Sequence, residues 1–241
     1  MSTENWTFLY RFLENTASLS IIGLAVLSLF VFKKLSFPFQ VFAISCLMSG
    51  VAELIAWYLF LKNLETSYNN ALNHVTMFLD AVLTGYFFYL IVVSKGKKWA
   101  IIILVSIIIA HNLFVVISSS LFSSTKYNSA SASIIFCIIG LIVFTELSKR
   151  RVTQTLSKQS EAIVTMCFII SNLLLVIYFF IYPSIYYHSQ IAALKVATSK
   201  NAVVFVASLG IFYGIWRNTV QLKKPKPTSS PTLSPPLRGQ N

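Results

Sequence analysis

The chain has 241 residues, of which 56% are hydrophobic and 11% charged; its mean hydropathy is +0.73 and its formal net charge is +12. A water-soluble domain cannot bury that much apolar surface, so the composition excludes the ordinary soluble globular class. The basic residues are spread over the connections between apolar stretches and form no single patch, so no nucleic acid partner is predicted. The composition predicts a protein of the lipid bilayer.

Seven apolar stretches follow one another along the chain, and each has about the 20 residues that a helix needs to cross the hydrocarbon layer. They predict an all-α, polytopic membrane protein with seven transmembrane helices within residues 17–218. The predicted spans are 17–34, 40–61, 71–93, 99–119, 130–148, 162–182 and 200–217.

The segments that flank the predicted bundle differ from it in composition. Residues 1–16 place aromatic and apolar side chains at amphipathic spacing, which is typical of a helix lying in the membrane interface. A disordered lead-in is the alternative. Residues 219–241 are rich in Pro, Ser and basic side chains, so they are predicted to be a disordered tail.

Lysine and arginine alternate between sparse and dense from one connection to the next. The denser connections hold Lys33 and Lys34, then Lys95, Lys97 and Lys98, then Lys149, Arg150, Arg151 and Lys158. Cytoplasmic loops carry the excess of basic residues in membrane proteins. The pattern therefore predicts the N-terminus outside and the C-terminal tail in the cytoplasm. A plain solvated tail is the favoured prediction, and a contact with anionic membrane lipids or a Pro-rich docking peptide is the alternative.

Two carboxylates fall inside the predicted spans, Glu53 in the second and Asp80 in the third. On insertion scales a charged side chain at the centre of a spanning helix costs about 2.5–3.5 kcal/mol, so a retained one suggests a functional site. Ser45, Ser49 and Glu53 recur every four residues, which places them on one face of the second helix.

The 1.5 Å rise per residue places the intramembrane polar groups in the outer half of the bilayer. They predict a cavity that opens to the outside and binds a small ligand, with the connection 183–197 lying over its mouth. The predicted ligand-binding residues are Glu53, Asp80, His74, His111, Asn112 and Asn172. Interhelical hydrogen bonds explain the same residues, and a zinc site of His74, His111 and Asp80 is a further alternative.

No sequence motif points to an enzyme. The chain lacks the GxSxG, HExxH and P-loop patterns, so no catalytic residue, resident metal or cofactor is predicted. A retinal pigment is also disfavoured, because Lys200 falls at the mouth of the predicted seventh span and not at mid-depth.

Residues 49–91 resemble the second and third helices of small uncharacterised seven-helix membrane proteins of Bacteroidota. The similarity rests on Glu53 with an aromatic helix end, on Asn69 and Asn70 in the next connection, and on Asp80 followed by the aromatic run Tyr86–Tyr89. The resemblance implies the bacterial inner membrane and a sensory role beside a sensor kinase or another membrane partner.

Three functions follow from these observations, and the sequence leaves all three open. The favoured hypothesis is a receptor-like or sensory module that binds a small molecule and signals through a separate partner, since the short loops hold no output domain. The second is a proton-linked carrier or channel for a small solute. The third is a structural or assembly subunit whose polar stripes hold helices together.

Overall fold

The computed structural model describes residues 3–63, 66–122, 124, 126–149 and 159–222, and these residues form seven α-helices. The helices are α1 Thr3–Val31, α2 Phe37–Leu61, α3 Thr66–Ile91, α4 Lys95–Ser119, α5 Lys126–Lys149, α6 Ser160–His188 and α7 Gln190–Leu222. A short 3₁₀ turn, Phe32–Lys34, follows α1. The predicted all-α class with seven helices is confirmed.

All seven helices are long and apolar enough to cross a membrane. Their outward faces carry large apolar side chains such as Phe30, Phe60 and Ile117, which are 78%, 80% and 83% exposed. A protein in water would lose stability by exposing such residues, whereas lipid tails solvate them. The chain is a multi-pass membrane protein.

Several helices extend beyond the predicted spans. The lead-in 3–16 is part of α1 and not a separate segment, because α1 begins at Thr3. The connection 183–197, predicted to lie over the cavity mouth, is helical apart from a break at Ser189. Polar residues continue these helices because an α-helix satisfies its own backbone hydrogen bonds both in lipid and outside it. The tail beyond Leu222 lies outside the described residues.

The helices pack in chain order and form a ring that closes where α7 packs against α1. Because the number of helices is odd, α1 and α7 run in the same direction. The Lys195 ammonium lies 5.4 Å from the Trp6 ring centre near one end of this pair. At the other end, the Ser36 backbone N–H donates to Asn218 Oδ1 at 3.0 Å.

The connections rich in lysine meet at one end of the bundle, which we call the lysine-rich end. It comprises Lys33, Lys34, Lys95, Lys97, Lys98 and Lys149. Here Lys97 Nζ at the start of α4 lies 3.0 Å from Glu146 Oε2 near the end of α5. Asn218 at the end of α7 also contacts Ser160 at the start of α6, through its Nδ2 at 3.5 Å.

One layer of the core consists of six packed aromatic rings, which we call the phenylalanine cluster. Its members are Phe39 and Phe42 of α2, Phe87 and Phe88 of α3, Phe136 of α5 and Phe168 of α6. Neighbouring ring centres lie 4.8–5.5 Å apart, within the range of favourable aromatic pairs. The cluster therefore joins four helices.

Candidate functional site

A cavity of about 270 Å³ lies inside the ring of helices, and we call it the Asp80 cavity. Its wall is formed by α3, which carries Asp80, together with α1, α2, α5, α6 and α7. Its polar lining residues are Ser45, Ser49, Asp80, Thr84, Asn172 and Ser208, and its apolar wall includes Ile21, Leu24, Phe42, Phe136, Phe168 and Ile211. Among the described residues, Asp80 is the single charged side chain in this lining.

Two serines of α2 hold one oxygen of the Asp80 carboxylate. Ser45 Oγ donates to Asp80 Oδ1 at 2.9 Å and Ser49 Oγ donates to the same oxygen at 3.3 Å. Because Ser45 donates its only hydroxyl proton to Asp80, Thr84 must be the donor in the 3.4 Å contact between the Ser45 and Thr84 hydroxyl groups. Among the described residues no donor contacts Asp80 Oδ2, so this oxygen is available to a bound group.

The other side of the cavity carries polar groups from α6 and α7. Asn172 is 8% exposed and donates its Nδ2 to the Phe168 carbonyl of its own helix at 2.9 Å. Ser208 likewise donates to the Val204 carbonyl at 2.9 Å. Because both donors are used within their own helices, the Asn172 side-chain oxygen and the Ser208 oxygen remain as acceptors for a ligand.

The phenylalanine cluster closes the cavity towards the lysine-rich end. In α2, Phe39 and Phe42 lie between Ser45 and that end, and in α3 Phe87 and Phe88 lie beyond Asp80 in the same direction. All four rings are at most 4% exposed. A polar solute at Asp80 therefore meets an apolar barrier on that side.

Towards the opposite end, the polar face of α2 continues from the cavity to Glu53. Ser45, Ser49 and Glu53 lie one helical turn apart, so about 6 Å of rise separates each from the next. Glu53 is half-buried and does not line the Asp80 cavity. It interacts electrostatically with Lys200 of α7.

A charged and aromatic cluster surrounds Lys200, which the sequence had placed at the mouth of the seventh span. Because α7 begins at Gln190, Lys200 lies well inside the helix, with its ammonium 4.8 Å from the Tyr178 ring centre. Glu14 of α1 also interacts with Lys200 and accepts a 2.7 Å hydrogen bond from the Tyr10 hydroxyl. Tyr10 and Glu14 are four residues apart and so lie on one face of α1, a spacing that would have predicted their contact. Neither was among the predicted site residues.

His74, Asn112 and Asn128 form a second polar group, which we call the His74 cluster. They come from α3, α4 and α5 and are 1%, 3% and 2% exposed. His74 Nδ1 lies 2.8 Å from Asn112 Oδ1, and Asn128 Nδ2 donates to the same oxygen at 2.6 Å. Asn128 was not among the predicted site residues, because it lies just outside the predicted fifth span.

One carbonyl determines the direction of every hydrogen bond in the His74 cluster. Asn112 Nδ2 donates to the His74 backbone carbonyl at 3.0 Å, so Asn112 Oδ1 must accept from both other members. His74 Nδ1 therefore carries a proton. His74 Nε2 and Asn128 Oδ1 have no hydrogen-bond partner among the described residues.

The structure thus divides the six predicted ligand-binding residues among different places. Asp80 and Asn172 line one cavity, His74 and Asn112 belong to the separate buried cluster, and Glu53 interacts electrostatically with Lys200. His111 is exposed on the outer face of α4. The hypothetical zinc site fails for the same reason, and the described residues contain no group of three or more potential metal-binding side chains.

Searches with this sequence and fold against models of protein families, curated proteins and solved structures each found no match.

Proposed function

We propose that the chain is a receptor-like membrane module whose small ligand binds in the Asp80 cavity. The observation that carries the proposal is the free oxygen of Asp80 in a cavity whose described lining residues include no other charged side chain. An uncompensated carboxylate in lipid is costly, so its retention at this position needs a reason. Binding a positively charged ligand supplies one.

The chemistry of the lining favours a small cation or a small amine as the ligand. Asp80 provides the charge, while Thr84, Asn172 and Ser208 provide neutral oxygens on the surrounding wall. Carboxylate, hydroxyl and amide oxygens coordinate hard cations in place of water, and they accept hydrogen bonds from ammonium groups. The volume of about 270 Å³ limits the ligand to a few heavy atoms with their hydration.

Under the positive-inside rule the lysine-rich end faces the cytoplasm. In this proposal the ligand enters from the opposite end. The phenylalanine cluster then separates the bound ligand from the cytoplasmic side. The described loops are short and form no separate domain, so the signal passes through helix shifts to another membrane protein or a sensor kinase. The bacterial inner membrane and the resemblance to proteins of Bacteroidota remain predictions.

A proton-linked carrier is the second candidate, and the polar face of α2 favours it. Ser45, Ser49 and Glu53 lead in single-turn steps from Asp80 towards Lys200. A carrier requires this route to continue past the phenylalanine cluster in a second conformation. The receptor does not require such a conformation, and for this reason we favour it.

The proposal predicts that small cations stabilise the folded protein through Asp80. Thermal unfolding in detergent would be measured with chlorides of lithium, sodium, potassium, ammonium and methylammonium, with choline chloride holding ionic strength constant. A ligand that binds only the folded state raises stability by RT ln(1 + [L]/Kd). Asp80→Asn keeps the shape of the side chain and removes the charge, so we expect roughly a tenfold or larger increase in Kd.

Glu53→Gln is the matched control, since it removes one carboxylate without touching the cavity. A receptor predicts normal cation stabilisation in Glu53→Gln and no solute flux in proteoliposomes. A carrier predicts flux that both Asp80→Asn and Glu53→Gln abolish. If no cation shifts the unfolding of the wild type and both variants fold normally, the Asp80 cavity is not a cation site and the proposal fails.

A further inference from the structure

An apolar groove of about 330 Å³ lies between α3 and α4, away from the Asp80 cavity. It begins near the lysine-rich end and runs along both helices. Its walls are Val82, Gly85, Tyr86 and Tyr89 of α3 and Ile101, Ile102, Val105, Ser106 and Ile109 of α4. The stretch from Tyr89 to Val82 covers about 10 Å along the helix axis, so the groove is elongated in the direction of lipid chains.

Gly85 of α3 and Val105 of α4 face each other in the lining of the groove. The Val105 side chain packs so closely on Gly85 that a methyl group there would collide with it. On either side of this contact the walls are apolar and partly exposed, with Val82 at 40% and Tyr86 at 45%. Lipid acyl chains solvate an apolar surface of this kind.

Positive charge gathers where the groove reaches the lysine-rich end. The Lys98 ammonium lies 4.7 Å from the ring centre of Tyr89, which is itself part of the groove wall. Lys95, at the first position of α4, is exposed. Among the described residues neither lysine is paired with a carboxylate, whereas Lys97 between them is bound to Glu146.

The position of Lys98 over Tyr89 orients the charge with respect to the groove. A cation over an aromatic face is held by the ring quadrupole while its remaining N–H groups stay available as donors. Tyr86 stacks on Tyr89, with ring centres 6.2 Å apart, and extends the same wall towards the interior. The arrangement combines an apolar slot with two unpaired cations at its mouth.

We propose that this groove binds one anionic phospholipid, with an acyl chain between α3 and α4 and the phosphate at Lys95 and Lys98. The charge selects an anionic headgroup over a zwitterionic one, because juxtamembrane lysines attract anionic lipids. The site is independent of the function proposed for the Asp80 cavity. It fixes the lipid to the two helices that carry His74 and Asn112.

The test compares phosphatidylglycerol with phosphatidylcholine of the same acyl chains, added to the delipidated full-length protein in detergent. Native mass spectrometry counts bound lipids, and thermal unfolding measures their effect. We expect one phosphatidylglycerol to be retained and to stabilise the protein more than phosphatidylcholine. Lys95→Gln/Lys98→Gln should lower the preference for the anionic lipid by roughly tenfold or more.

Two comparisons distinguish a built site from general attraction to a basic surface. Lys33→Gln/Lys34→Gln removes the same charge from exposed residues at the same end of the bundle, and it should leave the preference unchanged. Ser106→Phe fills the groove and should displace the lipid, while Ile103→Phe on an exposed position of α4 outside the groove should not.

Three results would overturn the proposal. The first is equal retention of the two phospholipids by the wild type. The second is an equal loss of preference in the two double-lysine variants, which would indicate surface charge alone. The third is a full stabilising effect from glycerol phosphate, which would show that the acyl chain and the groove contribute nothing.

Discussion

Replacing Gly50 with alanine is expected to lower the free energy of unfolding by about 1–3 kcal/mol, the usual range for an overpacked contact. A methyl group at Gly50 would collide with the Ala25 Cβ of α1, and the backbone at Ile21 and Ile22 lies directly behind it. Ala25 has no flexible side chain that can turn away, so α1 and α2 must separate. Unfolding in mixed detergent and SDS micelles would measure the loss.

The exchanged pair Gly50→Ala/Ala25→Gly tests whether that contact is the cause. It moves the methyl group from one helix to the other, so the close approach is restored and the stability should return to within about 1 kcal/mol of the wild type. Gly23→Ala is the control on α1, because a methyl group there meets nothing within 4 Å. If Gly23→Ala destabilises as much as Gly50→Ala, the helix contact is not responsible.

Replacing Asn112 with leucine is expected to lower the free energy of unfolding by about 2 kcal/mol. The change removes the acceptor for the His74 Nδ1–H and the Asn128 amide, both of which are buried. Each donor then lies in an apolar interior without a partner. The contacts between α3, α4 and α5 should loosen together, which hydrogen exchange on these three helices would detect.

His111→Leu is the natural control, since it changes the adjacent residue on the exposed face of α4. Lipid solvates leucine at least as well as histidine, so the change in stability should stay within about 0.5 kcal/mol. Equal losses for His111→Leu and Asn112→Leu would mean that the His74 cluster contributes nothing specific to the fold.

Helix α3 contributes a residue to both polar groups, Asp80 to the cavity and His74 to the buried cluster. Asp80 and His74 are six residues apart, which corresponds to about 600° of helix rotation and therefore to different faces. Asp80 faces α2 through Ser45 and Ser49, while His74 faces α4 and α5. A ligand at Asp80 would thus act on a helix that the His74 cluster joins to the other half of the ring.

Much of the architecture follows from local sequence. Each apolar stretch predicts its own helix, because a segment in lipid must satisfy its backbone hydrogen bonds internally whatever its neighbours do. The seven helices and their order were therefore predictable. Their ends were not, because residues 3–16 and, apart from Ser189, residues 183–199 are helical although their polar side chains do not require the hydrocarbon layer.

The grouping of the polar residues was the part that required the tertiary structure. From the sequence, the intramembrane polar residues all fall in the outer half of the bilayer, and that depth alone suggested one shared cavity. Depth does not specify the rotation of one helix against another. This rotation places His111 on the exposed face of α4 and lets Asn112 join His74 to Asn128. The sequence by itself determined which residues are polar within the bilayer; helix packing decided which of them meet, because hydrogen bonds between helices depend on angle and register as well as on depth.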